Sequence, residues 1–208
     1  MISSTTWWVR GYRLFFAFLA LIALIAQLMQ SIGAQRSTIN FFSYFTILSN
    51  MIAVAVLLWV AFKPEAKLGE TSRDLIRGAP VLYLAVTGVV FALLLSDQPL
   101  VTVPFSNTVL HKLMPVVMVV DWILDPPQTS ISFRQATFWW LIYPVVWLIY
   151  TMIRGAIIGW YPYPFMNPSV MGGYGPVLGI LVGIILGALV FILAIIWIGR
   201  GARRWAGG

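Results

Sequence analysis

The stretch Asn107–Pro127, NTVLHKLMPVVMVVDWILDPP, contains the only histidine of the chain, within a run that is otherwise almost entirely apolar. Such a run is typical of a membrane helix, where an ionisable side chain is costly and therefore indicates a functional site. At helical steps of three or four, its polar side chains share one face, which we expect to meet protein or a polar cavity. That face consists of Asn107, His111, Met114, Met118, Asp121 and Asp125.

The composition of the whole chain predicts an all-α, polytopic integral membrane protein. Of its 208 residues, 61% are hydrophobic and 9% are charged, and the mean hydropathy is +0.92. Several runs approach the roughly 20 apolar residues that cross a bilayer, and none alternates as the strands of a membrane barrel would. We therefore expect a six-helix bundle forming a single transmembrane domain over residues 1–208. The predicted spans are Leu14–Ile32, Phe41–Phe62, Ile76–Leu95, Val109–Leu124, Phe138–Ile153 and Val177–Ile198.

The basic residues predict the orientation of the bundle. If both termini are cytoplasmic, most Lys and Arg residues fall in cytoplasmic segments, as the distribution of basic residues in membrane proteins requires. These residues are Arg10, Arg13, Lys63, Lys67, Arg73, Arg77, Arg134, Arg200, Arg203 and Arg204. Arg36 and Arg154 fall outside, and Lys112 lies near the outer end of the fourth span. Because the net charge of +7 is explained by topology, we expect no nucleic-acid partner.

The residue types exclude several kinds of chemistry. The chain has no cysteine and one histidine, so it offers no disulfide, thiolate nucleophile, bis-histidine haem site or multi-histidine metal cluster. We therefore expect no metal and no cofactor.

Three further segments carry structural expectations. The loop KPEAKLGETSRDLIR, residues 63–77, is interpreted as a solvated cytoplasmic face. The segment GWYPYPFMNPSVMGGYG, residues 159–175, is predicted to form an ordered outer cap, because prolines stiffen a loop and aromatic rings favour the membrane interface. Glycines spaced four apart in the sixth span predict a smooth face against which a neighbouring helix packs. They are Gly175, Gly179, Gly183 and Gly187.

Thr46 and His111 form the candidate catalytic pair. Each lies near the start of a span that runs inward from the outer surface, so the hydroxyl and the imidazole are expected at similar depth. His111 would accept the threonine proton, and the threonine oxygen would attack an acyl carbon. However, hydroxyls in membrane helices most often bond a carbonyl four residues back or link two helices. From the residues alone, a structural role is favoured over a catalytic one for Thr46, whereas a structural hydrogen bond and catalysis are equally compatible with His111.

For the groups that would support this pair, the sequence offers several alternatives. Asp121 lies on the face of His111 but about 15 Å deeper, so it is expected to pair with a basic residue such as Arg73, Arg77 or Arg134. Orienting partners for His111 are Asp97, Asn50, Asn107 or a tyrosine, and Ser49 lies beside Asn50. Candidate donors to an oxyanion are Asn50, Lys112 and a loop amide. An anionic head group would meet Lys112, Arg154 or Arg36, and Tyr161 and Tyr163 would close over it.

Several motifs resemble the androgen-induced-gene and androgen-dependent-TFPI-regulating-protein family, and particularly its bacterial branch. They are F-x-Y-F-T-I-L-S-N at Phe42–Asn50, N-x-x-x-H-K-x-x-P at Asn107–Pro115, D-W-x-L-D-P-P at Asp121–Pro127, Y-P-x-x-W at Tyr143–Trp147, and R-G followed by W-Y-P-Y-P-F between Arg154 and Phe165. Members of that family are multi-span proteins, several of which act as threonine hydrolases of fatty acid esters of hydroxy fatty acids. The resemblance implies that Thr46 is the nucleophile and His111 the essential histidine.

Together these observations predict an integral membrane hydrolase of lipid-like esters. The substrate would be a fatty-acyl ester entering sideways from the bilayer, and the expected location is a bacterial inner membrane. The alternative is a non-enzymatic lipid- or small-molecule-binding protein, or a transporter, that uses the same polar cavity.

Overall fold

A computed structural model describes residues 7–62, 69–96 and 103–207, which form helices and no β-strand. Lys63, Lys67 and Asp97, for which the sequence analysis makes predictions, lie outside these residues. Six helical segments are long and apolar enough to cross a membrane, as the composition predicts. They are Trp7–Gly33, Phe45–Phe62, Glu70–Leu95, Pro104–Leu124, Phe133–Ile158 and Tyr174–Trp205.

The α-helices are numbered α1 to α9 in chain order. Their bounds are α1 Trp7–Gly33, α2 Thr38–Phe41, α3 Phe45–Phe62, α4 Glu70–Val90, α5 Pro104–Thr108, α6 Met114–Leu124, α7 Phe133–Ile158, α8 Pro168–Met171 and α9 Tyr174–Gly207. Helix α4 continues as a π-helical turn over Phe91–Leu95, and a second π-helical turn, Val109–Leu113, joins α5 to α6. A short 3₁₀ turn, Pro164–Met166, precedes α8.

The helices extend beyond the predicted spans mainly where polar residues are helical. Helix α4 starts at Glu70 instead of Ile76, and α7 starts at Phe133, where Ser132 and Gln135 form a capping box. An apolar window detects only the part of a helix that meets hydrocarbon, so it misses such ends. The second span was wrong at its outer end, because the helix breaks after Phe41 and restarts at Phe45.

Helix α4 lies at the centre of the bundle and contacts α3, α6, α7 and α9, while α1 packs mainly against α3. The core is aliphatic and aromatic, and includes Leu82, Leu84, Met114 and Met118, all nearly inaccessible. The burial of Met114 and Met118, with Val116 59% exposed on the other side, agrees with the predicted inward face of the fourth span.

The interpretation of residues 63–77 as a solvated face was wrong for Arg73, Asp74 and Arg77, whereas Glu70 and Ser72 are exposed. Arg73, Asp74 and Arg77 are buried in an ion-pair cluster that also contains Arg13, Asp121 and Asp125. Arg13 donates to Asp121 at 2.6 Å and to Asp125 at 2.7 Å, and Arg77 donates to Asp121 at 3.1 Å. The cluster ties the start of α1 and the start of α4 to the end of α6. Arg13, Arg73 and Arg77 therefore stabilise the packing of the helices, in addition to contributing to the distribution of basic residues.

The glycine face of α9 has no neighbour from the described chain, contrary to the packing prediction. A Cβ atom built on Gly175, Gly179, Gly183 or Gly187 would meet nothing within 4 Å. The close approaches occur at other glycines. Gly78 lies against Trp140, and Gly155 lies against Tyr161.

The segment 159–175 is ordered, as its prolines and glycines predict. Gly159 and Gly172 adopt positive φ angles of 71° and 78°, which end α7 and α8 in the left-handed region that glycine favours. The segment inserts into the bundle rather than lying only across it, because Tyr163, Phe165 and Met166 are buried. The rings of Tyr163 and Phe165 stack with their centroids 5.3 Å apart.

Candidate functional site

A polar cavity of about 430 Å³ opens at the end of the bundle opposite the ion-pair cluster. It lies between the end of α1, the start of α3, the helices around His111 and the segment 159–175. Its polar lining comes from Gln27, Ser31, Arg36, Ser37, Asn40, Tyr44, Thr46, Ser106, Asn107, His111, Trp160 and Tyr163. Both members of the predicted pair, Thr46 and His111, therefore line one cavity.

Thr46 lies in the first turn of α3, since the helix starts at Phe45. Peptide N–H groups in a first turn have no intrahelical acceptor. The N–H of Thr46 donates to the phenol oxygen of Tyr163 at 3.3 Å, and Thr46 Oγ1 shares a hydrogen bond with the same oxygen at 3.3 Å. Because the phenol oxygen already accepts the amide, its own proton is free to go to Oγ1, which leaves the threonine proton available to a base.

Tyr163 lies outside the spanning helices, and burial is the main cause that raises the pKa of its phenol to about 12, although its hydrogen bonds to Thr46 act in the opposite direction. The phenol therefore keeps its proton at neutral pH and remains a hydrogen-bond donor.

His111 sits in the π-helical turn Val109–Leu113, just before Pro115. Proline has no N–H, so the regular helical bond to the His111 carbonyl is lost. One residue earlier, the N–H of Met114 donates to the carbonyl of Val109, five residues back, as in a π-helix. The ring stacks on Phe91 with a centroid distance of 4.5 Å. Its Nδ1 lies 3.3 Å from the backbone carbonyl oxygen of Asn107. An Nδ1–H that donates to this carbonyl leaves Nε2 unprotonated, which is the form that acts as a base.

Thr46 and His111 share the cavity without a direct hydrogen bond being described between them. The hydrogen bonds of the Thr46 side chain go to Tyr163, and that of His111 goes to Asn107. A reacting group or a water between the two side chains would be needed to complete the proton transfer.

The supporting residues on α3 are buried and already engaged. Ser49 shares a hydrogen bond with Tyr143 at 3.4 Å. The Asn50 amide nitrogen donates to the carbonyls of Thr46 and Leu110 at 2.9 and 3.2 Å, which joins α3 to the helix of His111. Both of its N–H donors are thereby committed, so Asn50 holds the site together and does not offer a free donor to an oxyanion.

Asn107 provides the orienting partner for His111, through its backbone oxygen rather than its side chain. It lines the cavity, and its buried side-chain oxygen has no hydrogen-bond partner among the described residues. Lys112 is exposed and does not line the cavity.

The remaining predicted residues lie around or away from the cavity. Arg154 donates to Asn40 at 2.6 Å and stacks over Trp160, so it supports two lining residues from behind. Tyr161 packs against Gly155. Asp121 lies at the other end of the bundle, where it pairs with Arg77 as expected and also with Arg13.

Sequence reasoning assigned Tyr163 to a lid and did not pair it with Thr46. Its position 117 residues further along the chain gives no local signal for that contact. Among the described residues, no group of three or more histidine or acidic side chains lies close enough to hold a metal ion.

Comparisons with protein-family models, curated proteins and solved structures find no match for this chain.

Proposed function

We propose that the protein is a membrane hydrolase that cleaves lipid-like esters, with Thr46 as nucleophile and His111 as base. The observation that carries the proposal is the joint presence of a helix-start threonine and the unique histidine in one polar cavity. The resemblance of Phe42–Asn50 and Asn107–Pro115 to a family of threonine hydrolases supports the same pair.

In the proposed reaction, His111 Nε2 accepts the hydroxyl proton through a bridging water molecule as Thr46 Oγ1 attacks the ester carbonyl carbon. The tetrahedral intermediate collapses to an acyl-threonine, and the departing alkoxide takes the proton from the imidazolium. His111 then deprotonates a water molecule that attacks the acyl-threonine. The second collapse releases the carboxylic acid and returns the proton to Thr46.

Two features of the Thr46 environment favour negative charge on the intermediate. Thr46 lies in the first turn of α3, where the positive end of the helix dipole favours negative charge close to Oγ1. The Tyr163 phenol adds a donor close to Oγ1. Preorganised donors of this kind are the usual means of stabilising an oxyanion.

The cavity also favours an anionic or strongly polar head group. Arg36 contributes a positive charge to its lining, and no acidic side chain lines it in the described part of the chain. We assign the cavity to the outer leaflet of a bacterial inner membrane and the ion-pair cluster to the cytoplasmic side, because this orientation leaves most basic residues inside.

The test is labelling of the detergent-purified protein by a fluorophosphonate probe, followed by peptide mass analysis. We expect one modified peptide containing Thr46, with labelling lost in Thr46→Ala, lost in His111→Ala and partly retained in Thr46→Ser. Thr151→Ala is the matched control, because Thr151 is a buried threonine on α7 that does not line the cavity. Labelling that persists in Thr46→Ala would remove Thr46 as the nucleophile.

The second candidate is a non-enzymatic lipid- or small-molecule-binding protein, or a transporter, acting through the same cavity. It is favoured by the hydrogen bonds of Thr46 and His111 to Tyr163 and Asn107 instead of to each other. This candidate predicts saturable binding of a fatty-acyl ester with no probe labelling and no turnover, and with equal affinity in Thr46→Ser.

A further inference from the structure

A second, apolar cavity of about 140 Å³ lies on the other side of Thr46 and Tyr163. Its walls come from α3, α4, α7, α9 and the segment 159–175, and are aliphatic or aromatic almost throughout. Val86, Leu148, Phe165, Ile184 and Ala188 are typical of the lining. A dry apolar cavity of about this size takes up small hydrocarbons rather than water.

This apolar cavity is open between α7 and α9. Val145 and Ile185 line it and are 45% and 43% exposed, respectively. Val145 is near the midpoint of α7, Phe133–Ile158, so the opening faces the hydrocarbon interior of a membrane and not its surface. A hydrocarbon chain would pass from lipid into this opening without being exposed to water, whereas a polar group would lose its hydration.

Thr46 and Tyr163 line both cavities. The polar cavity, with Arg36 and His111, thus lies on one side of these two residues, and the apolar cavity lies on the other. A molecule that occupied both would have its polar part and its chain on opposite sides of the Thr46 hydroxyl.

We propose that the apolar cavity binds the part of the substrate's acyl chain next to the ester carbonyl, and that this chain enters from the bilayer between α7 and α9 and leaves its remainder in the lipid. The placement of the ester bond at Thr46 rests on the proposed function, whereas the binding of the chain does not. The substrate class is then a single-chain fatty-acyl ester whose polar remainder lies in the polar cavity with Arg36 and His111. The side chains of Val145 and Ile185 control entry of the chain.

The test is photo-crosslinking in lipid nanodiscs by a long-chain fatty-acyl ester that carries a diazirine on the acyl chain a few carbons from the ester carbonyl. The protein is Thr46→Ala, so that the ester is not consumed, and the crosslinked peptides are mapped by mass spectrometry. We expect crosslinks concentrated on lining residues of the cavity, such as Leu148 and Ala188. A diacyl phospholipid with the same diazirine is expected to label the exposed faces of α7 and α9 without this preference.

Matched variants on adjacent positions test the route of entry. Val145→Trp and Ile185→Trp narrow the opening and should each reduce crosslinking within the cavity severalfold. Val146→Trp and Leu186→Trp are the controls, because these neighbours are lipid-exposed but do not line the cavity. All four positions are partly exposed, so a bulky side chain is tolerated there more readily than in the core.

The outcomes separate the two proposals. Equal labelling of the cavity by phospholipid and ester, or unchanged labelling in Val145→Trp and Ile185→Trp, would overturn the acyl-chain site. Crosslinks in the cavity without ester turnover by the unsubstituted protein would overturn the hydrolase proposal and leave the chain site standing. Ester turnover without crosslinks in the cavity would overturn the acyl-chain site and leave the hydrolase proposal standing.

Discussion

Replacing Asp125 by asparagine should strongly destabilise the bundle. One oxygen of Asp125 is 2.7 Å from Arg13, 2.8 Å from Arg73 and 3.3 Å from Arg77. The substitution removes one of three carboxylates that balance three guanidinium groups, and it directs amide hydrogens or an uncharged oxygen toward cations that cannot lose their protons. Three buried positive charges then face two negative charges.

The magnitude follows from the burial of the cluster. Asp125 is 2% exposed, and Arg13 and Arg77 are at most 1% exposed, so water cannot replace the lost partner. Breaking a buried ion pair by removing one member costs about 3–5 kcal/mol. For a chain of this size about 1 kcal/mol corresponds to about 2–4 °C, so the midpoint of thermal unfolding in detergent should fall by about 6–20 °C.

The control is Glu70→Gln. Glu70 is an exposed acidic residue in the first turn of α4, the helix that also carries Arg73 and Arg77. It should change stability by no more than about 0.5 kcal/mol. Adding Arg73→Gln to Asp125→Asn restores two positive and two negative charges, so the pair should cost less than the sum of the two single substitutions. An unfolding midpoint for Asp125→Asn equal to that of Glu70→Gln would refute the assignment of this cluster as a clamp between α1, α4 and α6.

Three further predictions test the site, the packing and the orientation. Tyr163→Phe removes the phenol hydroxyl that bonds Thr46 and should lower the rate of probe labelling about tenfold, which corresponds to the loss of one hydrogen bond. Tyr174→Phe is the control, because Tyr174 is exposed, and it should leave the rate unchanged. Equal labelling rates in the two variants would contradict a role for the Tyr163 phenol. Gly78→Ala forces a methyl group into the Trp140 ring and should cost about 1–3 kcal/mol in an unfolding titration, whereas Gly183→Ala, which meets nothing, should be neutral. Because the chain has no native cysteine, Ser169→Cys should react with an impermeant thiol reagent in intact cells and Gln128→Cys should not, and the opposite pattern would reverse the orientation.

The sequence predicted the helical class and the six spans because long apolar runs have few other solutions in a membrane. It also predicted the inward face of Met114, Met118 and Asp121, because helical spacing fixes which residues share a face. It predicted the pairing of Asp121 with Arg77 but missed the burial of Arg73, Asp74 and Arg77, since charges close to a span end are equally compatible with solvent and with buried partners from other helices. Only the packing of α1 against α6 reveals that Arg13 neutralises Asp121 and Asp125.

The sequence singled out the two candidate residues that line the polar cavity, but not the geometry around them. The uniqueness of His111 and the motif around Thr46 single out the pair, but the break between Phe41 and Phe45 that puts Thr46 in a helix first turn has no strong sequence signal. The position of the His111 ring depends on the π-helical turn Val109–Leu113, and a proline that follows it is compatible with several kinds of helix distortion. The Thr46–Tyr163 contact depends on how the segment 159–175 inserts, which is a tertiary choice.

The most direct test of the central claim is a double-mutant comparison of ester turnover. Residues that act as one catalytic unit have non-additive effects, so we expect kcat/KM for a long-chain fatty-acyl ester to be equally low in Thr46→Ala, His111→Ala and the double variant. Losses that multiply in the double variant, or full turnover by either single variant, would contradict a shared nucleophile–base mechanism in this cavity.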